Sequence, residues 1–469
     1  MTSSLDPQFI GFLKRYPDYI GTKPIDDIRR SDYARLDVNN HVYLDYTGGG
    51  LYADSQLRKH HRLLSENVFG NPHSTNPASV AATELVNHAR AYILKFFKAN
   101  PDEYVAIFTP NASGALKLVG ESYPFEEGDQ YLLTFDNHNS VNGIREYAHA
   151  NGADVTYIPV ELPDLRVDES LLDERLALAR PTGHNLFAYP AQSNFSGVLH
   201  PLEWIERAHK KGWDVLLDAA AFVPTNPLDL SRIAPDFVAL SFYKIFGYPT
   251  GTGALIARKE ALAKLRRPWF AGGTITVASV KADKYYLAED AAAFEDGTVD
   301  FLNIPAVEIG LKHIESLGYD IIHERVRCLT GWMLDEMTAM KHSTGEPLIR
   351  IFGPTKPKAR GGTITFNCFD KDGYAIDHLF IEEMANKLKI SIRTGCFCNP
   401  GAGEIALEIS QPELAACFTQ PDHESRLSFD DFRLCIDGKA SGAVRVSIGL
   451  VSSFADVQRF LDFMRGMLE

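Results

Sequence analysis

The chain has 469 residues, of which 45% are hydrophobic and 23% charged, and it carries a formal net charge of -14. This composition is typical of a soluble globular protein and excludes a mainly disordered or fibrous chain. The acidic excess argues against binding to nucleic acid or to an anionic membrane surface. A small-molecule partner fits this charge better. Because the length exceeds what one hydrophobic core usually supports, we expect two domains.

Targeting signals are absent from the sequence pattern. The first thirty residues contain no apolar core followed by a small-residue cleavage site, so no signal peptide is predicted. No apolar run approaches the length that spans a bilayer. The six cysteines form no regular framework, which indicates reduced thiols and a cytoplasmic location.

Short β-branched and apolar runs alternate with helical patterns in the first two thirds of the chain. Strands are predicted at 104–108, 130–134, 154–158, 185–189, 214–217, 237–240 and 253–256. Amphipathic helices are predicted between them, for example at 140–150 and 202–211. This alternation is typical of βαβ units and predicts a mostly parallel, seven-stranded sheet covered by helices.

The pattern changes after residue 304. The elements predicted there are helices at 306–316 and 319–340, strands at 362–368, 390–393 and 443–448, and a final helix at 453–467. The segment 411–442 has little periodicity, and we expect it to be irregular. We predict an N-terminal segment (1–30) packing near the small domain, a large cofactor-binding domain (31–304) and a small α+β domain (305–469).

Two charged residues follow predicted strands of the sheet. Asp218 and Lys244 would meet at the carboxyl edge, where ligands bind in open α/β sheets. A lysine partly removed from water has a lowered pKa and suits a Schiff base, and a carboxylate can hold a pyridine nitrogen protonated. The turn at 109–114 offers amides and a hydroxyl to a phosphate. Taken singly, Lys244 could be a surface lysine and Asp218 a helix cap.

Six segments carry a resemblance to a known family. They are VYLD (42–45), FGNPHS (69–74), DNHNSV (136–141), SFYKIFG (241–247), RTGCFCN (393–399) and VRVS (444–447). In these segments the chain resembles class V aminotransferases, and in particular the cysteine desulfurase-like N-terminal domain of molybdenum cofactor sulfurases. The resemblance implies an α/β, fold-type I pyridoxal phosphate-dependent transferase, like aspartate aminotransferase, with a smaller α+β C-terminal domain.

The resemblance also implies roles for single residues. Lys244 would form the Schiff base with pyridoxal 5'-phosphate, Asp218 would pair with the pyridine nitrogen, and His138 would stack on the ring as a catalytic residue. Asn194 would contact the phenolic oxygen and the substrate. Phosphate contacts would come from Ala112, Ser113, Ser241, Tyr243 and the partner subunit's Thr298, which implies a homodimer.

The substrate end of the site is implied by an arginine and a cysteine. Arg445 would clamp the substrate carboxylate through two hydrogen bonds. Cys398 follows Arg393 by five positions, as does the sulfur-accepting cysteine of desulfurases. A thiol near Arg393 could react as the thiolate, although a buried structural cysteine is the alternative. Cys396 and Cys398 alone are too few ligands for a metal, so we predict none.

The chain departs from the family at two places. Ala221 stands where desulfurases generally place glutamine, and Tyr243 stands where many have histidine. Because the 469 residues end at Glu469, directly after the predicted small domain, we expect no molybdenum cofactor-binding domain among them.

Three functions are consistent with these patterns. The leading hypothesis is conversion of L-cysteine to L-alanine with a persulfide on Cys398, which is then passed to an acceptor protein or small molecule. The second is another class V reaction on a small amino acid, catalysed by an aminotransferase, lyase or epimerase, which needs only Lys244, Asp218 and Arg445. The third is a non-catalytic sulfur carrier or scaffold.

Overall fold

The computed structural model describes residues 6–419, Leu427, Asp431 and 442–468. Its N-terminal elements are α1 (Pro7–Arg15), a 3-10 helix (Pro17–Thr22), α2 (Lys23–Asp32), α3 (Arg35–Val38) and strand β1 (Val42–Tyr43). Asp6 starts α1 by accepting a hydrogen bond from the amide of Gln8 at 3.0 Å, and Pro7 follows at the first helical position, where a missing N–H costs nothing.

The central part of the chain alternates helices and strands. Its elements are α4 (Asp54–Ser65), α5 (Pro77–Phe96), β2 (Tyr104–Thr109), α6 (Ala112–Ser122), β3 (Gln130–Thr134), α7 (Asn139–Asn142), α8 (Ile144–Ala150), β4 (Asp154–Ile158), β5 (Val160–Glu161), β6 (Arg166–Val167), α9 (Glu169–Leu176), β7 (Asn185–Pro190), α10 (Trp204–His209), β8 (Asp214–Asp218), β9 (Phe237–Ser241), α11 (Phe242–Phe246), β10 (Gly253–Arg258), α12 (Lys259–Leu262), β11 (Ile275–Ser279), β12 (Lys284–Leu287) and a 3-10 helix (Asp290–Phe294).

Seven of these strands form the central sheet, in the order β2-β10-β9-β8-β7-β3-β4. Strand β10 runs antiparallel to both of its neighbours, and the other pairs are parallel. All residues of β7 and β9 are buried, because helices cover both faces. The predicted mostly parallel, seven-stranded sheet is confirmed. Asp218 and Ser241, which end β8 and β9, lie at the same edge.

The C-terminal part adds a second sheet. Its elements are α13 (Ile304–Leu317), α14 (Tyr319–Ala339), β13 (Ile349–Phe352), β14 (Thr363–Phe369), β15 (Ala375–Ile376), α15 (His378–Lys387), β16 (Ile390–Ser391), β17 (Arg393–Gly395), α16 (Pro400–Ala406), α17 (Gln411–Phe418), β18 (Ala443–Ser447) and α18 (Phe454–Arg465). The order β13-β14-β18-β17, with β15 beside β14, makes a five-stranded sheet that carries Arg445 on β18 and Arg393 on β17.

The prediction of an irregular segment from residue 411 is wrong at its start. Gln411–Phe418 forms helix α17, which a capping box between Ser410 and Glu413 begins. The helix has only eight residues, too few for its apolar positions to establish a helical period in the sequence. The rest of that prediction, apart from Thr419, Leu427, Asp431 and Gly442, lies outside the described residues.

The N-terminal helix packs against the second sheet's helices. The Phe12 ring lies 5.7 Å from Trp332 and 5.0 Å from Phe454, between centroids. By contrast, Ile304 and Leu311 of α13 pack into the core beside the central sheet. The predicted division into three segments, with a boundary after residue 304, stays a prediction.

The cysteines differ in state. Cys328 and Cys368 are buried and free, and Cys396 and Cys398 are exposed and free. Cys417 is disulfide-bonded, so the prediction of reduced thiols is wrong for this residue. Among the described residues, no helix combines the length and the apolar character that crossing a membrane requires.

Candidate active site

Lys244 lies in the short helix α11, directly after strand β9. The helix ends at Gly247, whose φ of 79° is favoured by glycine, and a Cβ there would lie 2.3 Å from the amide nitrogen of Tyr52. This close approach holds the end of α11, and with it Lys244, against the segment that follows β1. The side chain of Lys244 is partly buried, and burial lowers its pKa, an effect that the nearby Asp218 carboxylate opposes. Burial thus favours the neutral, nucleophilic form of this amine.

Asp218 and His138 lie close to this lysine. Asp218 ends β8, and its Oδ1 accepts a hydrogen bond from the amide of Ala220 at 3.0 Å. His138 caps α7 by accepting from the amide of Ser140 at its Nδ1, 3.1 Å away. Burial lowers the pKa of His138, and the charge of Asp218 acts in the opposite direction. The structure therefore brings the predicted lysine, carboxylate and imidazole together.

A group of hydroxyls surrounds the start of helix α6. The Oγ of Ser241 accepts a hydrogen bond from the amide of Ala112 at 2.8 Å, and the Oγ atoms of Ser113 and Ser140 are 2.6 Å apart. Hydroxyl donors at a helix N-terminus suit a phosphate group. Sequence reasoning did not select Ser140, although it lies in the segment 136–141 that carried the family resemblance.

Tyr243 and Thr298 are two further predicted phosphate ligands, and they make different contacts in the single chain. The ring of Tyr243 packs beside Gly49, where a Cβ would lie 3.5 Å from it, and burial raises the pKa of Tyr243. Thr298 is exposed and lines a cavity of about 400 Å³ together with Thr109 and Gly114. A contact between Thr298 and a cofactor in a partner subunit stays a prediction.

Arg445 projects from the middle of β18 and is only 3% exposed. Its Nη1 donates to the carbonyl of Asn194 at 3.1 Å, its Nη2 donates to Asp45 at 3.2 Å, and its guanidinium lies 4.6 Å from the Phe397 ring centroid. Burial lowers the pKa of Arg445 to about 10. Its Nε is buried and has no hydrogen-bond partner among the described residues. This unused donor can serve a ligand carboxylate.

The same carboxylate of Asp45 also binds Arg393. The Nε of Arg393 lies 3.1 Å and 3.0 Å from the two oxygens, and its Nη2 lies 2.6 Å from Oδ2. Asp45 therefore bridges the two arginines. The segment 42–45 contributed to the family resemblance, but sequence reasoning assigned Asp45 no role, because nothing local in the sequence links it to residues near the other end of the chain.

The loop around Cys398 is anchored to the edge of the central sheet. Phe397 and Cys398 both have positive φ, 56° and 54°. The side chain of Asn194 donates to the carbonyl of Phe397 at 2.8 Å, and the amide of Asn139 donates to the carbonyl of Cys398 at 2.7 Å. The side chain of Asn399 donates to Asn194 at 2.8 Å. Asn194, predicted to contact the cofactor, thus also holds the cysteine loop.

The thiol itself remains open to solvent. Cys398 is exposed and free, which differs from the alternative of a buried structural cysteine. Cys398 lies near enough to both Lys244 and Arg445 to interact with them electrostatically, so the three residues are close to one another. Among the described residues, no group of three or more His, Cys, Asp or Glu side chains could hold a metal ion.

Comparison with known proteins gives relatives along the whole chain. The family described as Aminotransferase class-V matches residues 42–460. The chain is 37% identical to the molybdenum cofactor sulfurase of Arabidopsis thaliana, over 97% of this chain and 60% of that protein. It is 38% identical to the human molybdenum cofactor sulfurase, over 95% of this chain and 51% of that protein. The chain thus spans only part of the length of these relatives.

Solved structures show the same fold. The apo cysteine desulfurase of Thermococcus onnurineus NA1 has a TM-score of 0.75 at 24% identity, covering 94% of this chain and 98% of that one. A cysteine desulfurase of Escherichia coli has a TM-score of 0.73 at 20% identity, with the same coverage. The predicted fold-type I architecture is confirmed. The chain belongs to the class V aminotransferase family, whose cofactor is pyridoxal phosphate.

Proposed function

We propose that this chain uses pyridoxal phosphate to take the sulfur of L-cysteine, releasing L-alanine and leaving a persulfide on Cys398. The observation that carries the proposal is an exposed thiol, held by backbone hydrogen bonds at the edge where Lys244 and Arg445 meet. The names of the relatives, sulfurases and desulfurases, support sulfur chemistry.

The residues present fit the cofactor. The amine of Lys244 would bond its carbonyl carbon, Asp218 would accept a hydrogen bond from its protonated ring nitrogen, and the neutral imidazole of His138 would lie against its ring. The hydroxyls of Ser113 and Ser241 would bind its phosphate. When bound, pyridoxal phosphate supplies a ring that accepts electrons from the substrate's α-carbon.

The substrate carboxylate would bind Arg445. Its guanidinium is held by Asn194 and Asp45, so it is oriented before the substrate arrives, and its buried Nε is available as a donor. Because the site excludes water around this side chain, the charge-assisted hydrogen bonds are strengthened.

Two side chains of this chain would carry the chemistry. With the substrate bound, the amine of Lys244 would take the α-proton, and burial, which lowers its pKa, favours the neutral form that this role requires. The thiolate of Cys398 then attacks the substrate sulfur. A sulfur–sulfur bond forms, and the carbon–sulfur bond breaks with its electron pair passing to the β-carbon. Protonation of the β-carbon, and return of the α-proton from the Lys244 amine, would give alanine.

The test compares two cysteines of the same loop. Cys398→Ala should abolish alanine release from L-cysteine under reducing conditions, and Cys396→Ala should retain it. Cys396 is a matched control, since its thiol is also exposed and lies only two positions away. Intact-mass analysis of the wild type should show a gain of about 32 Da that maps to Cys398. Equal activity of Cys398→Ala and the wild type would refute the assignment, and a keto acid or a racemised product would favour another class V reaction.

We also propose that the enzyme is a homodimer in which Thr298 completes the partner's phosphate site. Thr298 is exposed and lines a cavity of about 400 Å³, which is also lined by Thr109, next to helix α6. Thr298→Ala should raise the dissociation constant for pyridoxal phosphate without changing the mass measured by analytical ultracentrifugation. A monomeric wild type, or an unchanged dissociation constant, would contradict the proposal.

A further inference from the structure

Asp45 lies between two arginines at the substrate end of the site. We propose that Asp45 determines which substrate charge the site accepts. By neutralising one guanidinium group, it restricts the site to amino acids that carry one carboxylate and an uncharged side chain. This inference rests on the proposed function, in which Arg445 binds the substrate carboxylate and Cys398 receives the sulfur.

The carboxylate of Asp45 is fixed in place. The residue is 8% exposed, and its carbonyl accepts hydrogen bonds from the amides of Gly48 and Gly49, at 3.0 Å and 3.1 Å. Its backbone also forms a β-bridge with Ser447, two positions after Arg445. A Cβ at Gly48 would lie only 2.6 Å from the carboxylate, so glycine is required there to leave it room. The backbone of Asp45 is therefore anchored, and its carboxylate is held by hydrogen bonds from Arg393 and Arg445.

The two arginines use Asp45 unequally. Arg393 makes a two-point contact with it, through Nε at 3.1 Å to Oδ1 and Nη2 at 2.6 Å to Oδ2, and its side chain is 51% exposed. Arg445 makes one contact at 3.2 Å, and its side chain is 3% exposed. The charge of Asp45 is thus matched chiefly to Arg393, while Arg445 keeps its Nε for a ligand.

The sum of charges follows from this pairing. Two guanidinium groups and one carboxylate leave one positive charge, which matches the α-carboxylate of an amino acid. Of the other charged groups nearby, Asp218 is assigned to the ring nitrogen and Lys244 would be bonded to the cofactor before the substrate arrives. The Cys398 thiolate, which acts on Arg445, would face the substrate sulfur and would also oppose a second acidic group. A second acidic group on the substrate would find Arg393 already paired and the Asp45 carboxylate close to it. L-Cysteine would therefore be accepted and its sulfinate disfavoured.

The experiment measures a ratio, because general damage to the fold lowers both rates together. We compare kcat/KM for alanine release from L-cysteine sulfinate with that from L-cysteine. Asp45→Asn keeps the shape and removes the charge, so the ratio should rise about tenfold, a modest gain because Arg393 is half exposed. Asp37→Asn, which removes a carboxylate from a pair with Arg29 in the N-terminal helices, is the matched control and should leave the ratio unchanged.

A binding measurement provides a second readout. The dissociation constants of L-aspartate and L-alanine, obtained from the absorbance of the holoenzyme, should shift in favour of L-aspartate in Asp45→Asn. Arg393→Gln should shift both ratios the other way, so the inference can be tested even if Asp45→Asn does not fold. If the wild type releases no alanine from L-cysteine, the proposed function fails. If the wild type is active but both ratios stay within about twofold in each variant, the role of Asp45 is overturned.

Discussion

Two glycines of helix α16 should respond in opposite ways to the same substitution. A Cβ at Gly401 would lie 2.0 Å from the carbonyl oxygen of Phe135 and 2.8 Å from its ring. A Cβ at Gly403 would meet only the ring of Phe195, at 3.9 Å, which is ordinary van der Waals distance. Neither glycine has a positive φ, so the backbone itself accepts alanine at both positions.

The magnitudes follow from these contacts. At Gly401 the helix or the strand end must move by about 1 Å to clear a backbone atom, and overpacking of this kind costs about 3 kcal/mol or more. At Gly403 alanine should stabilise the helix by about 0.5–1 kcal/mol, because glycine loses more backbone entropy on folding. The two variants should therefore differ by about 4 kcal/mol in free energy of unfolding.

Denaturation by urea, followed by tryptophan fluorescence with the cofactor saturating, measures the difference. Because Phe135 precedes His138 by three residues and Gly401 follows Cys398 by three, Gly401→Ala should also move the thiol and lower alanine release by at least about tenfold. Gly403→Ala should keep wild-type activity. Free energies of unfolding within about 0.5 kcal/mol of each other would refute the packing of α16 on the edge of the central sheet.

Three further outcomes are expected. Asn399→Ala should lower the free energy of unfolding by about 2–4 kcal/mol, because it leaves the buried carbonyl of Asp136 and the side-chain oxygen of Asn194 without this donor. Asn67→Ala, which removes one exposed hydrogen bond, should lower it by less than about 0.5 kcal/mol. Urea denaturation midpoints compare the two variants. Arg445→Lys should lower kcat/KM for L-cysteine by about 100-fold in steady-state assays, since an ammonium cannot form the paired hydrogen bonds. Burial by itself would raise the pKa of Asp136, but the charge and hydrogen bond of His200 hold this pKa below its usual value. The ionised carboxylate therefore stabilises the fold fully above about pH 4, and this contribution is lost as the pH falls through the lowered pKa. In acid unfolding titrations, Asp136→Asn should lose stability less steeply than the wild type.

The central sheet could be predicted from the sequence because its information is local. Runs of apolar and β-branched residues identify buried strands within a few positions, and all seven predicted strands occur in the sheet. The placement of Asp218 and Lys244 followed from the same logic, since the carboxyl ends of parallel strands meet at one edge. Helix α17 was missed because eight residues give too weak a period, and the disulfide of Cys417 because pairing cannot be read from spacing.

The contacts at the substrate end were decided by the tertiary structure alone. Asp45 reaches Arg393 and Arg445 across 348 and 400 positions of the chain, and Asn399 reaches Asn194 across 205. Residue types and local periodicity carry no information about which of many carboxylates will lie beside a given arginine. Which carboxylate joins the two arginines depends on how the second sheet packs against the edge of the first. The lysine and the cysteine could therefore be predicted from the sequence, whereas Asp45 could be identified only from the packing.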